Sequence, residues 1–280
     1  MTRIKKQLLL ILCLTGISLQ ASAHGRFILP THTMLSAEEQ AKVTILSSIS
    51  NAVFHPDMPF ANNEKGIKVN PKLTKVFSML NPFVIQPNGS QAPMSFQAFN
   101  RLSVADLSLT QKGTYGVLIE QKPLIVTTYK DSQGKPGRLF GRADVPAGST
   151  DVARRKINMR SASYISFNGL SDVAVQGTGL ELAGQHPNDL FTGETLEFQL
   201  LLNGKGAPIG TEITLIREDT RHRNQREIQT LVTLENGKFS VTFEQAGYYL
   251  LETQVSKPSQ QSGIDTEQDT LYQTLEVFAQ

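Results

Sequence analysis

Residues 194–204 read Glu194-Thr195-Leu196-Glu197-Phe198-Gln199-Leu200-Leu201-Leu202-Asn203-Gly204. Leu196, Phe198, Leu200 and Leu202 recur at every second position, the period of a strand with one face in a core and the other towards water. Asn203-Gly204 closes the run with the residue pair for which positive φ costs least, so a hairpin turn is predicted there. The same grammar recurs outward along the chain. Phe239, Val241 and Phe243 alternate with Ser240 and Thr242 just after Asn236-Gly237, and Leu275, Val277 and Phe278 form a last apolar stretch. Asn88-Gly89 marks a further turn. Residues 36–42 are the one modest helix candidate and are too short to matter. Short strands separated by close turns predict an all-β chain built from β-sandwiches.

A weak internal echo points to two of them. Gln111-Lys112-Gly113-Thr114-Tyr115 and Gln245-Ala246-Gly247-Tyr248-Tyr249 share a Gln-x-Gly-x-Tyr entry, and each leads into an apolar strand. Such an entry suits the tyrosine corner of immunoglobulin-like sandwiches, in which the phenol ties a strand to nearby backbone. The reading is therefore two immunoglobulin-like β-sandwich domains, at 24–145 and 185–280, with a connecting segment at 146–184. Gly134–Arg155, rich in Gly, Pro, Arg and Lys, reads as a surface loop or the join between domains. The polar tail 257–269 reads as a long hairpin loop.

Residues 1–23 have the order of a secretory signal. Arg3, Lys5 and Lys6 precede an apolar run from Leu8 to about Leu19, and Ala21-Ser22-Ala23 offers a small-x-small cleavage site. Removing 23 of the 280 residues leaves 257 that begin at His24. The lone Cys13 would leave with the leader, so disulfides, thiolate metal sites and cysteine nucleophiles are excluded together. Of the 27 basic residues three belong to the leader, so 24 remain against 25 acidic ones, a formal charge of −1. A chain this close to neutral gives no electrostatic ground for a nucleic acid or an anionic membrane as partner. The expected location is the periplasm or the medium.

Cleavage after Ala23 would give His24 a free α-amine beside its imidazole, and the two nitrogens can chelate one ion. Nitrogen donors of this kind suit Cu(II) or Ni(II). Candidate partners are His32, His55 and His186. His222 stands among Arg221, Arg223 and Arg226, which disfavour a nearby cation. His186-Pro187-Asn188-Asp189 is also a turn signature, so His186 has a structural reading beside the metal one. There is no G-x-S-x-G elbow, phosphate loop, H-E-x-x-H or dinucleotide fingerprint, and no enzyme is expected.

The stretches His24-Gly25-Arg26-Phe27-Ile28-Leu29-Pro30, Ser50-Asn51-Ala52-Val53-Phe54, Gly177-Thr178-Gly179-Leu180-Glu181-Leu182 and His186-Pro187-Asn188-Asp189-Leu190 resemble the domain-of-unknown-function family DUF4198. So do Thr220-Arg221-His222-Arg223-Asn224 and Ala246-Gly247-Tyr248-Tyr249. The resemblance implies an exported immunoglobulin-like β protein, and some members are labelled periplasmic components of nickel or cobalt uptake. His24 and His186 match the family pattern. The order His55-Pro56-Asp57 departs from the aromatic-Asp-His order of relatives, and His32 stands where they often carry a small hydroxyl residue.

The favoured expectation is an exported protein that binds a transition metal, nickel, cobalt or copper, for uptake or handling in the cell envelope. His24 is the primary ligand, and metal-uptake membrane components are the partners. The rival is a non-catalytic envelope adaptor that binds another protein through sandwich edges or loops. A copper-dependent polysaccharide oxidase with a histidine brace comes third, because the chain has 0 Trp to offer a sugar-binding platform.

Overall fold

The computed structural model describes residues 25–61, 77–218 and 228–280. The signal-like leader, His24 and His222 lie outside them. In the first half the strands are β1 (Gly25–Pro30), β2 (Met34–Leu35), β3 (Ala41–Ser50), β4 (Met58–Pro59), β5 (Leu80–Ile85), β6 (Gln91–Pro93), β7 (Gln97–Ala98), β8 (Ser103–Leu109), β9 (Gly113–Lys130), β10 (Pro136–Phe140) and β11 (Thr150–Phe167). In the second half they are β12 (Leu180–Gly184), β13 (Thr195–Leu202), β14 (Lys205–Gly206), β15 (Glu212–Arg217), β16 (Ile228–Val232), β17 (Lys238–Thr242), β18 (Gly247–Pro258) and β19 (Thr266–Val277). The protein is all-β. Among the described residues no helix is long and apolar enough to cross a membrane.

The strands form three sheets. One has the order β1-β3-β8-β7 with β4 on β3, and a small one has β12-β13-β14 with β17 on β13. The third, of ten strands, runs β16-β15-β18-β19-β11-β9-β5-β6, with β10 on β9 and β2 on β11. It joins the two halves of the chain through one parallel ladder, in which β11 pairs with β19 from Arg155↔Thr266 to Ala162↔Gln273.

Two cores lie on opposite faces of this large sheet. Phe27 and Ile28 of β1 and Val43 and Ile45 of β3 pack on Val117, Ile119 and Ile165 of β9 and β11. Phe198, Leu200 and Val241 of the small sheet pack on Leu215, Leu251 and Leu275 of β15, β18 and β19. Alternation along β15, β18 and β19 serves both cores at once. Ile216, Leu250 and Tyr272 join the first core, while their neighbours Leu215, Leu251 and Leu271 join the second. At this end the three strands are a middle layer, which explains the run of buried residues Tyr249-Leu250-Leu251.

The alternating stretches predicted as strands are β13, β17 and the end of β19. Asn203 and Gly204 both take positive φ, at 53° and 72°, as their turn requires. The entry at Gln111–Tyr115 and its echo at Gln245–Tyr249 have one geometry. Gly113 and Gly247 sit at φ 123° and 125°, and each tyrosine hydroxyl donates to the carbonyl four residues back. That bond is 3.0 Å from Tyr115 to Gln111 and 2.8 Å from Tyr249 to Gln245.

Gly134–Arg155 differs from its expectation as a loop. It holds β10 and the first turns of β11, which extend the large sheet outward with β9 as an exposed, polar arm. Its residues are polar because the arm is solvated on both sides, which hides the strand period. In the tail, β18 and β19 pair out to Pro258↔Thr266, so the hairpin is present but its loop is short. Residues 41–42 open β3 rather than continuing a helix.

Candidate functional site

β1 connects the layers, and its two ends lead to different surroundings. At its start Gly25 pairs with Ser50, the last residue of β3. There β1 crosses the large sheet. An ideal Cβ on Gly25 would stand 2.9 Å from Glu252 Oε1 and 3.2 Å from Leu250 Cδ2 of β18. The next residue, Arg26, lies over the Tyr272 ring at 5.4 Å and donates from Nη1 to the Tyr272 hydroxyl at 3.0 Å. Gly25 is thus laid against a carboxylate on β18.

Beside it stands the turn that carries His55. Ser50 Oγ lies against the His55 carbonyl, and the His55 amide donates to the Ala52 carbonyl at 3.0 Å. Asp57 braces the turn by accepting from the Asn51 amide at 3.0 Å. Phe54 adopts φ 59°, a left-handed conformation that is costly for a bulky side chain and persists only where packing enforces it. The packing is visible, because the Phe54 ring meets Phe27 at 5.2 Å and Tyr248 at 6.0 Å, both edge to face. His55 itself is half-buried.

His32 is exposed and contacts Thr31 Oγ1 at 3.3 Å. The chain does not double back at Pro30. The Thr31 amide still bonds the Thr44 carbonyl, and β2 goes on to pair with the end of β11. The length of β1, about 17 Å at the usual rise per residue, therefore separates His32 from Gly25.

His186 lies near His32's end of β1, in a polar knot. Its Nδ1 accepts from the Asn188 amide at 3.1 Å, and its Nε2 is 3.1 Å from both the Ser171 carbonyl and Thr114 Oγ1. A carbonyl only accepts, so Nε2 carries the proton and Nδ1 is the acceptor. Asn188 continues the knot with bonds to Ser166 Oγ at 2.9 Å and to the Thr33 carbonyl at 3.1 Å. Thr33 Oγ1 in turn donates to Glu276. Burial, and then the same Glu276 carboxylate, pushes the Tyr248 phenol far above its ordinary range. The knot ties β2, β9, β11 and β19 together, and both ring nitrogens of His186 are engaged within it.

The structure thus brings His55 and Glu252 to the Gly25 end of β1 and leaves His32 and His186 at the other. Among the described residues no group of three or more His, Cys, Asp or Glu side chains is gathered as a metal cage. Glu252 was not singled out in the sequence. A signal was present, since a carboxylate interrupts the apolar run Tyr249-Leu250-Leu251, but nothing local says which layer it faces.

A cleft lies elsewhere, at the β11–β19 junction. It is about 250 Å³ and is lined by Glu120, Asn158, Arg160, Thr178, Asn203 and Asp269, among others. Arg160, 6% exposed, is held by Glu120 at 3.0 Å through Nε and by Glu181 at 3.3 Å through Nη1. Its charge is balanced inside the fold.

The DUF4198 family, a domain of unknown function, matches residues 21–257. The chain belongs to this family. No curated protein matches this DUF4198 chain. Among solved structures it is similar to a DUF4785 family protein from Legionella pneumophila, at 10% identity and a TM-score of 0.25, over 84% of this chain and 53% of that one. It is also similar to Escherichia coli alpha-2-macroglobulin, at 10% identity and a TM-score of 0.21, over 89% of this chain and 30% of that one. The D0-D1 domain of Intimin matches at 13% identity and a TM-score of 0.19, over 89% and 97%. The DUF4198 chain spans about half or less of the first two, and at such TM-scores nothing of their function transfers.

Proposed function

We propose that this DUF4198 protein is exported and binds a transition metal ion, nickel, cobalt or copper, at the amino terminus created when its leader is removed after Ala23. The α-amine and imidazole of His24 chelate the ion, and His55, in the turn after the strand that pairs with Gly25, is the candidate second imidazole. The protein then serves metal uptake or handling in the periplasm or at the cell surface, with membrane uptake components as partners and no catalysis of its own. We read the fold as two immunoglobulin-like sandwiches, 24–145 and 185–280, that share the large sheet across the connecting segment. The observation that carries the metal reading is the register Gly25↔Ser50. Free chain ends usually fray, whereas here the ladder reaches the residue after His24 and ends beside the braced turn of His55. His186, engaged at both nitrogens, belongs to the structural knot in this reading.

The test is calorimetric titration of Ni(II), Co(II), Cu(II) and Zn(II) into protein whose first residue is verified by mass spectrometry as His24. Affinity of about micromolar or better is expected for at least one ion, with a loss of tenfold or more when one residue precedes His24. Absence of such affinity for all four ions overturns the reading.

A second reading, an adaptor, draws on the edge of the large sheet. β16 is its outermost strand among the described residues, and Ile228, Val232, Leu234 and the neighbouring Ile209 are all exposed there, Ile209 at 69%. An apolar, unpaired edge is a place where another chain can add a strand.

A further inference from the structure

We propose that the arm formed by the end of β9, β10 and the start of β11 docks on an anionic phospholipid membrane surface, with Arg138, Phe140 and Arg155 on its contact face. The proposal shares only the export of the chain with the metal-binding reading and otherwise stands apart from it.

Charge is distributed unevenly along the chain. Residues 24–280 carry −1 in total, yet residues 122–156 hold eight Lys and Arg against three Asp, a net +5. The remainder from residue 24 onward is therefore at −6. The fold gathers the basic segment into the solvated arm. There β10 pairs with β9 from Pro136↔Lys130 to Phe140↔Val126, and among the described residues no strand pairs with its outer edge.

Little of this charge is neutralised within the molecule. Lys130 is bridged to Asp151 at 2.7 Å and Lys156 to Glu267 at 3.6 Å. Asp131 is occupied by the turn amides of Gln133 and Lys135, both at 2.9 Å. Asp265, from the neighbouring hairpin, accepts from the Arg154 amide at 2.6 Å. Asp144, in the loop after β10, bridges none of the cations. Lys135, Arg138, Arg142, Arg154 and Arg155 make no ion pair among the described residues. Arg155 reaches only the neutral Gln268, at 3.0 Å.

Register sorts these side chains by face, because residues paired across antiparallel strands point to the same side. Phe140 pairs with Val126, Val126 pairs on its other side with Arg155, and Arg138 stands two positions before Phe140. These side chains therefore share one face. The opposite face carries Arg154 and the bridged Lys156. Phe140 is 47% exposed. An exposed ring between unpaired guanidinium groups suits a membrane interface, where cations meet anionic headgroups and the ring enters the headgroup–acyl boundary. Each such cation strengthens attachment to an anionic surface about fivefold.

The experiment uses the chain beginning at His24 and two kinds of vesicle, phosphatidylcholine alone and phosphatidylcholine with about one part in three phosphatidylglycerol. Co-sedimentation of the parent is expected with the anionic vesicles only, and rising salt should weaken it. The double variant Arg138→Gln/Arg142→Gln should bind about tenfold more weakly or worse, with an unchanged circular dichroism spectrum. Lys205→Gln, on the small sheet, should bind like the parent. The chain has 0 Trp, so Phe140→Trp provides a single indole whose emission should shift to the blue on the anionic vesicles. A parent that ignores these vesicles overturns the proposal, as does its binding to soluble heparin without binding to vesicles. Equal losses in Lys205→Gln and the arginine variant, or an indole emission that vesicles leave unmoved, also overturn it.

Discussion

Leu250 and Leu251 are neighbours in β18, yet they are buried in different hydrophobic cores. One strand of the large sheet thus serves both cores. Each side chain is at most 1% exposed, so replacing either with alanine removes packing that cannot be recovered by small shifts. Leu250→Ala and Leu251→Ala are each expected to cost about 2–5 kcal/mol. Because both cores share the strand, each variant should unfold in one transition, with circular dichroism and tyrosine fluorescence coincident in a urea titration. Two separated transitions would show that the cores are energetically independent.

The two tyrosine corners share a donation to the carbonyl four residues back, from Tyr249 to Gln245 and from Tyr115 to Gln111. The Tyr115 hydroxyl also accepts from the amides of Thr110 at 3.1 Å and Gln111 at 2.7 Å. Tyr115→Phe should therefore cost about 2–3 kcal/mol, because it orphans two donors as well as an acceptor. A cost well under about 1 kcal/mol in denaturant titrations would contradict this.

His186 joins loop to strand through both ring nitrogens. His186→Ala should destabilise the fold by about 2 kcal/mol by leaving the Asn188 amide and the Ser171 carbonyl without this partner. The proposed metal site lies at the other end of β1, so Ni(II) affinity should stay within about twofold of the parent. A large loss of affinity in a well-folded variant would return His186 to the ligand set.

Tyr164 provides a pH test. Burial raises its phenol to about 12, opposed by Arg160 and aided by Glu181. The folded protein therefore keeps a proton that the unfolded chain loses near pH 10, and the stability this represents is lost as pH rises from about 10 to about 12. Ultraviolet titration of the phenols should show late steps from Tyr164 and Tyr248, and Tyr164→Phe should remove the earlier of the two while leaving that of Tyr248. If that variant titrates like the parent, the Tyr164 phenol is not raised by its burial.

Arg160 sits between Glu120 and Glu181 with its guanidinium almost wholly enclosed. Arg160→Met keeps the length and removes the charge, leaving two carboxylates facing each other, and should cost about 3–5 kcal/mol. Adding Glu120→Gln and Glu181→Gln to that variant should restore part of the loss, measurable as a recovered urea midpoint.

Local pattern was enough to read the all-β class, the strands β13 and β17, the Asn-Gly turns and both tyrosine corners. Each depends on residues close in the chain, such as the alternation of Phe239 with Ser240 or a phenol reaching four residues back. The polar arm Gly134–Arg155 escaped because strands solvated on both faces have no buried side to set a period.

The proposed site divides along the same line. The family membership of the chain follows from the order of residues alone. That Gly25 lies on Glu252, that His55 stands at one end of β1, and that His32 and His186 stand at the other were decided by tertiary structure. These relations pair residues far apart in sequence. They are set by the register of β1 on β3 and by the crossing of β1 over β18, and a ladder's register depends on how whole faces pack rather than on either residue it brings together.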